Sequence, residues 1–388
     1  MLAERLTSEY DVEVLTTCVR NAETGKNEYE EGNEYWNGVL IRRFKADPIH
    51  PENEKRYAKA AKPARKWRRF LYRIRLLAPL SYLHPLWEYK QKDEIQAMNA
   101  SIFYSSGLQL FVKKYRDEYK AFIAMSLDYP TFYYTAIDAG DKTIAIPTMH
   151  YVGISFRSLL TTAISKIAYV GFNTEEQKLG ERIFGKALGK HGIISVGIET
   201  PEAVDWNTTK TKYGLPDDYL LYVGRITRVK LYRLLPYFLD YKKKYKESPL
   251  KLVLVGGVTI DKINHPDIIY TGYVSDEEKI TIIRHAKAVV NPSNGESLSL
   301  ILLEAMNEEK PVLVNGCCAV LKEHCYKSNF ASLYYTTNAG FRKQLYKIDH
   351  FSDVRKEMGQ KGKKYVAENY NWTLIIGRLR KAIEEIGK

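Results

Sequence analysis

What most constrains this chain is a rhythm. Short apolar runs recur along it, separated by stretches long enough to be helices. The first series is "DVEVLTT" (11–17), "GVLIRRF" (38–44), "ASIFY" (100–104), "AFIAM" (121–125), "KTIAIP" (142–147), "KIAYVGF" (166–172) and "GIISVG" (192–197). A second series is "YLLYVG" (219–224), "LKLVLVGG" (250–257), "DIIYTGYV" (267–274), "AKAVVNPS" (286–293), "KPVLVNG" (310–316) and "ASLYY" (331–335). "DVEVLTT" alternates apolar and polar like a strand, and the other short, largely apolar runs read as strands of sheets covered on both faces. Between them lie helical segments such as 108–119, 174–188, 233–247 and 275–286. Strand–helix alternation predicts parallel sheets covered on both sides, an α/β protein.

Two series imply two domains, and 388 residues are too many for one ordinary core. The stretch around 199–218 is rich in Pro, Thr, Asn and Gly and reads as a connection. The expected division is 1–200, a linker over 201–218, a second domain over 219–370, and a last helix over 371–388 that packs back on the first domain. Ser275 and Glu278 have capping-box spacing, which predicts a helix start at Ser275.

Composition excludes some classes. No apolar run approaches the roughly 18–20 residues of a membrane span. Met1–Tyr10 is polar and charged, unlike a secretory leader. Cys18, Cys317, Cys318 and Cys325 form no C-x-x-C pair and no metal-ligand spacing, so reduced thiols and a cytoplasmic setting are expected. The net charge of +13 favours phosphate-bearing partners: nucleotides, nucleic acid or an anionic membrane face. No helix-turn-helix, zinc or RNP-type motif supports nucleic acid.

The chemistry gathers at strand ends, where ligands of doubly wound sheets bind. In "YVGRITRVK", Gly224 and Arg225 follow a strand and Lys230 comes five residues later. Such a pair suits a diphosphate, Arg with a planar fork and Lys with a point charge. Two solvated surface cations would give the same letters. In "NPSNGESLSLILLEAM" (291–306), Pro292, Asn294 and Gly295 make a turn and a helix is expected from Ser297. Its first N–H groups would form an anion site. On that reading Glu304 lies about 12 Å along the helix from Glu296 and is rotated by about 80°. Glu304 sits in an apolar run, where an unpaired carboxylate is costly, so ligand hydroxyls or a solvated helix face must serve it. His150, at the end of "KTIAIPTMH", follows a strand and a proline, and a neutral imidazole there can donate to a hydroxyl.

Taken in order, "LLYVGRITRVK", "GYVSDEEK" and "NPSNGESLSLILLEAMNEEKPVLVNG", with the weaker "IPTMH", "GFNTEEQ" and "VGIETP", resemble the retaining glycosyltransferases of family 4, glycosyl transferases group 1. The resemblance implies the GT-B fold, two doubly wound parallel-sheet (Rossmann-like) domains facing a cleft. It implies that Arg225 and Lys230 hold a nucleotide diphosphate, with Gly224 beside them. Glu296 contacts the donor sugar, Glu304 the ribose, and the amides of Ser297, Leu298 and Ser299 approach the phosphates. Tyr273 and Val274 border the base through their backbone. His150 and Glu296 lie at the reacting sugar. No metal and no cofactor beyond the donor is implied. Two positions depart from the pattern: Leu231 and Ser299 stand where Gly is usual. The family's first strand and Gly-rich loop are absent from the opening residues.

The expected activity is sugar transfer from a nucleotide-diphosphate donor to a saccharide or lipid-linked acceptor, with retention, in cell-surface polysaccharide or glycolipid synthesis. The alternative is a nucleotide-sugar-binding protein without transfer, motivated by that missing strand and loop. The stretch 59–87 carries Arg65, Lys66, Arg68, Arg69, Arg73 and Arg75 among Trp67, Phe70, Leu71, Ile74, Leu76 and Leu77. It reads either as an interfacial helix for an anionic membrane or as a solvated basic face. The former would place the protein peripherally on the inner face of the cell membrane.

Overall fold

A computed structural model describes residues 2–21, 24–83, 87–231 and 233–386. Residues 84–86 of the basic stretch 59–87 therefore lie outside the described residues. The chain divides into two compact units, Met1–Ser195 with Ile376–Lys388, and Val196–Ile375. The division falls inside the final helix, Trp372–Ile386.

Among the described residues, unit 1 carries seven strands: β1 (Glu13–Thr17), β2 (Gly32–Trp36), β3 (Val39–Phe44), β4 (Phe122–Met125), β5 (Thr143–Ile146), β6 (Tyr169–Phe172) and β7 (His191–Ile193). The last four form a parallel sheet in the order β4-β5-β6-β7. The first three pair as β1-β3-β2, with β1 parallel to β3 and β2 antiparallel to it. β2, "GNEYW", is exposed at every position and has no apolar run to announce it. It is set by the turn after it, where Asn37 and Gly38 have φ of 48° and 79°. Positive φ at both central residues is the two-residue hairpin turn that matches strand twist.

The expected strand "ASIFY" is instead the end of the helix Gln91–Asn99 and a loop. Ala100 N–H donates to Gln96, the Ser101 hydroxyl donates to Met98, and Phe103 turns the chain with φ of 66°. Phe132, Phe156, Phe172 and Phe184 are fully buried in the core of this unit.

Unit 2 is a single parallel sheet of β8 (Tyr219–Val223), β9 (Lys251–Val255), β10 (Ile268–Gly272), β11 (Ala288–Asn291), β12 (Val312–Asn315) and β13 (Ser332–Tyr335). Its order is β10-β9-β8-β11-β12-β13. The chain thus builds outward from β8 in one direction, then returns to β8 and builds the other way. Alternate residues feed two cores. Leu221, Val253, Val289 and Val314 face one, with Leu302, Leu303 and Met306. Leu220, Leu252, Val290 and Leu313 face the other, with Phe238 and Phe341. This period of two explains why both faces had to be apolar. Each such side chain contributes about 1.5–3 kcal/mol of burial.

Within 201–218, Trp206–Tyr213 is a helix, capped by the Asp205 side chain and closed by Gly214 at φ 62°. Trp206 and Tyr213 pack on the unit 2 core, and Trp206 stacks on His285 with ring centroids 4.0 Å apart. The capping box at Ser275 forms: its hydroxyl accepts from Glu278 N–H at 3.2 Å and Glu278 returns to Ser275 N–H at 2.9 Å. Among the described residues no helix is long and apolar enough to cross a membrane.

Candidate functional site

In a doubly wound sheet the chain leaves a crevice where its winding reverses, because the connections on either side depart in opposite directions. Here the reversal lies between β8 and β11. Both motif-bearing loops, 224–230 and 291–299, follow these two strands.

After β8 the backbone turns through Gly224, at φ 144°, whose N–H donates to Val255 at 2.9 Å. At the end of β9, Gly256 has φ 132°, and a Cβ there would lie 2.2 Å from the Gly224 carbonyl oxygen. Only glycine permits this close approach. Arg225 is exposed, and its carbonyl accepts from the Tyr222 hydroxyl at 2.8 Å. Burial, then Glu296, raise the Tyr222 hydroxyl above its ordinary pKa, while Arg225 pulls it back. Lys230 sits in the short helix Arg228–Leu231. Leu231, at the position where Gly is usual, is 2% exposed and packs in the second core.

Lys230 Nζ donates to Glu296 Oε1 at 2.8 Å. Residues from the two strand ends, 66 apart in sequence, therefore meet. The helix does not begin at Ser297. It runs Leu300–Asn307, and Ser299 precedes it in a left-handed conformation, φ 79° and ψ 80°. Glu296 lies in the loop, so the helical separation and rotation expected between Glu296 and Glu304 do not apply. The left-handed turn also explains why Gly is usual at this position. Ser299 adds a hydroxyl that accepts from Asn291 Nδ2 at 2.9 Å.

Glu304, expected to need a ligand or water as partner, has a protein one. Its Oε1 accepts from Lys279 Nζ at 3.0 Å, and both side chains are less than 20% exposed. Burial lowers the Lys279 ammonium's pKa, but Glu304 and Asp276 outweigh it and hold the group above its ordinary range. Lys279 lies one turn into the helix that Ser275 caps. Tyr273 and Val274 form the turn before that cap. Tyr273 is 81% exposed, and a Cβ on Gly257 would meet its hydroxyl at 2.4 Å. The structure thus joins Lys230 to Glu296 and Glu304 to Lys279, and does not pair the two glutamates with each other.

Three buried residues strap the 291–299 loop, and none was singled out from the sequence. Asn291, the last residue of β11, holds Ser299 and accepts from Ser293 N–H at 3.0 Å. Asn315, the last residue of β12, donates to the Pro292 carbonyl at 3.1 Å and to Asn294 Oδ1 at 2.8 Å. It also accepts from the N–H of Cys317 at 3.0 Å. Cys317 is exposed, whereas Cys18, Cys318 and Cys325 are buried.

His324 donates from Nε2 to the Leu298 carbonyl at 2.9 Å. Its Nδ1 accepts from the Tyr365 hydroxyl at 3.0 Å, which fixes the neutral tautomer. Burial pushes its pKa down to about 4. The available signal was a polar residue ending each apolar strand, "AVVN" and "VLVN", since a buried polar group requires partners.

His150 lies in unit 1, half-buried, three residues beyond Pro147. Its carbonyl accepts from Val152 N–H at 2.8 Å and the Ser155 hydroxyl at 2.7 Å. Glu176, 2% exposed, accepts from Asn173 N–H at 2.9 Å and holds the backbone of neighbouring Met149. Burial pushes its carboxyl up to about 8. Among the described residues no group of three His, Cys, Asp or Glu side chains gathers as metal ligands would.

Residues 217–330 match the family model for glycosyl transferases group 1. An uncharacterised glycosyltransferase of Methanocaldococcus jannaschii is 23% identical over 176 residues, 43% of this chain and 45% of that protein. The match thus spans less than half of that relative's length.

The fold is similar to sucrose-phosphate synthase from Thermosynechococcus elongatus, with a TM-score of 0.65, 14% identity, and 98% and 91% of the two chains covered. It is also similar to α,α-trehalose 6-phosphate synthase from Burkholderia multivorans (TM-score 0.60, 8% identity, 97% and 98% covered). The Anabaena protein HepE, in complex with UDP and glucose, gives a TM-score of 0.57 at 12% identity, with 72% and 81% covered. The chain has the GT-B fold, and its residues 217–330 match the model of the glycosyl transferases group 1 family.

Proposed function

We propose that the protein is a retaining glycosyltransferase that moves a sugar from a nucleotide-diphosphate donor to an acceptor hydroxyl. The observation that carries this reading is the Lys230–Glu296 contact across the β8/β11 reversal, which sets a cation and a carboxylate side by side where such sheets bind nucleotides. Arg225 and Lys230 meet the diphosphate, and the amides of Ser297, Leu298 and Ser299 approach it from the strapped loop. Gly224 leaves room for the phosphates, and Tyr273 and Val274 border the base. Glu296 takes the sugar hydroxyls and Glu304 the ribose hydroxyls, each held by its lysine. As the glycosidic bond to the diphosphate breaks, negative charge grows on the leaving group. Two cations and preorganised N–H groups stabilise that charge without reorganising. His150 is assigned to the reacting sugar on the family resemblance alone.

The test is thermal shift with a nucleoside diphosphate. The parent protein is stabilised, and Arg225→Ala with Lys230→Ala abolishes the shift. A full shift in that double variant removes the diphosphate assignment. Glu304→Gln keeps the fold and loses nucleotide-sugar turnover.

A saccharide or lipid-linked acceptor, in cell-surface polysaccharide or glycolipid synthesis, is the reading we favour for the second substrate. It is supported by the outer face of the helix Lys62–Arg73 and the segment after it. Trp67, Phe70, Ile74, Leu76, Tyr82 and Leu83 are 40–53% exposed there, among Lys62, Lys66 and Arg75. Trp67 and Phe70 stack at 5.6 Å. Aromatic side chains flanked by cations suit an anionic bilayer surface. Trp67→Ser with Phe70→Ser should release the protein from anionic vesicles in a sedimentation assay; retention at the parent level rejects docking through this face.

A further inference from the structure

The same helix has a second line of residues that the docking face does not use. Arg65, Arg69 and Arg73 are spaced four apart and share one side of the helix Lys62–Arg73. Like charges at this spacing destabilise a helix by about 0.2–0.5 kcal/mol per pair. Their surroundings add positive charge. The helix packs against the turn Gly153–Phe156, in the loop that carries His150, Tyr151 and Arg157.

Arg69 Nε donates to the Tyr151 hydroxyl at 3.0 Å, and its guanidinium lies 4.7 Å from the centre of that ring. Burial would raise the Tyr151 hydroxyl, yet Arg69 and Arg73 together hold it below its ordinary pKa. Tyr151 packs on Tyr72, whose ring carries the Arg182 guanidinium at 4.1 Å. Arg157 is half-buried, and burial lowers the pKa of its guanidinium. It feels Glu94 as its strongest attraction and Arg65 as a repulsion.

Glu94 accepts from the Ser158 hydroxyl at 2.8 Å and Leu159 N–H at 3.0 Å, both through Oε2. Among the described residues, no carboxylate lies within 4.0 Å of Arg65, Arg69, Arg73 or Arg157. Arg65 instead donates to the Ala58 carbonyl at 2.9 Å. Arg157 feels Glu94, Asp128 and Glu54 only from beyond ion-pair distance; a half-buried arginine beside a line of three others, none in contact with a carboxylate, is an arrangement that an anion completes.

We propose that Arg65, Arg69, Arg73 and Arg157, with the Tyr151 hydroxyl, bind a phosphate or diphosphate group carried by the acceptor. The guanidinium fork matches phosphate oxygens in pairs, which a lysine does not. Tyr151 follows His150 directly, so the acceptor class assigned here rests on the reading of His150 as a residue of the reacting centre. The shared chemistry is phosphate, whether on a free sugar phosphate or on a lipid headgroup.

The experiment uses the full chain carrying Arg225→Ala and Lys230→Ala, so that the nucleotide site does not take up the probes. Inorganic pyrophosphate is titrated by calorimetry. Vesicles of phosphatidylglycerol with phosphatidylcholine are compared with phosphatidylcholine alone. Adding Arg69→Gln and Arg73→Gln, both on the protein surface, should weaken binding by about tenfold or more while the melting temperature holds. Arg157→Lys keeps the charge without the fork and should weaken pyrophosphate less.

Loss of pyrophosphate binding in the glutamine variant supports a soluble phosphate. Loss of vesicle binding alone supports a headgroup phosphate. Equal binding of both probes with and without the arginines, or binding of neither by the parent, overturns the proposal. Nucleoside diphosphate binding by the chain with Arg225 and Lys230 intact is measured in parallel. Its absence beside arginine-dependent pyrophosphate binding removes the donor reading and leaves this site standing.

Discussion

The two units treat ionisable groups in opposite ways. In unit 2 both lysines of the candidate site are balanced within the protein, Lys230 against Glu296 and Lys279 against Glu304, and Arg225 stands exposed. Its buried polar residues, Asn291, Asn315 and His324, each have named partners. In unit 1 the buried groups are less well matched. Glu176 has no cation beside it and burial pushes its carboxyl up to about 8, and Arg157 has no carboxylate within ion-pair distance among the described residues. A site balanced in advance suits a ligand with both hydroxyls and phosphates, as a nucleotide sugar has. A region left positive suits a ligand that supplies the missing charge.

The sharpest way to separate the units is pH. The folded pKa of Glu176 is raised, to about 8 from an ordinary 4.5. Its contribution is therefore complete below pH 4.5 and lost as pH rises through 8. At pH 7 holding the proton costs on the order of 3 kcal/mol. Glu176→Gln should stabilise unit 1 by that order at pH 7 and much less at pH 5. Hydrogen exchange of the β6 amides across this range reads it, and equal gains at both pH values would show the carboxyl is not held protonated.

His324 has the reverse sign. Its folded pKa is depressed, to about 4 from 6.5, so its contribution is present above pH 6.5 and lost as pH falls through 4. The loss is of the same order, with somewhat less span. His324→Gln, whose amide can donate to Leu298 and accept from Tyr365, should flatten this acid limb in denaturant titrations while nucleotide binding persists. A limb unchanged in slope would mean other groups carry it.

Smaller effects probe the balance itself. Lys279→Met leaves Glu304 partly buried without its cation and should weaken nucleoside diphosphate binding about tenfold, roughly 1.4 kcal/mol. Binding to a 2′-deoxy analogue should change less, if Glu304 takes the ribose hydroxyls. Smallest is Ser299→Gly. Relief of the left-handed serine, about 1–2 kcal/mol, is offset by loss of the Asn291 bond, about 1 kcal/mol. Ser299→Ala keeps the strain and loses the bond, so it should melt below both.

The sheet of unit 2 was legible because its strands are apolar on both faces. Every expected run there contains a strand. In unit 1, "ASIFY" misled because apolar content alone does not separate a strand from a helix end with a left-handed residue. "GNEYW" was missed because it is solvent-exposed throughout, although the "NG" after it is a hairpin signal. The segment 201–218 had loop-like composition yet holds a helix, since a good cap at Asp205 and two aromatic anchors suffice.

In the candidate site the residue types were visible but their pairings were not. Lys279 and Glu304 are 25 residues apart, and His324 and Leu298 are 26 apart. Periodicity carries no information over such distances. The helix start was misplaced by three residues because no propensity predicts a serine in the left-handed region.

The uneven exposure of the cysteines has a practical use. Cys317 is accessible while the other three thiols are buried, and its N–H is held by the asparagine that straps the 291–299 loop. A maleimide dye should therefore label the unmodified protein at one position, within two residues of that strap. Fluorescence from it would report ligand arrival in real time, with no engineered cysteine and no change to the residues being tested.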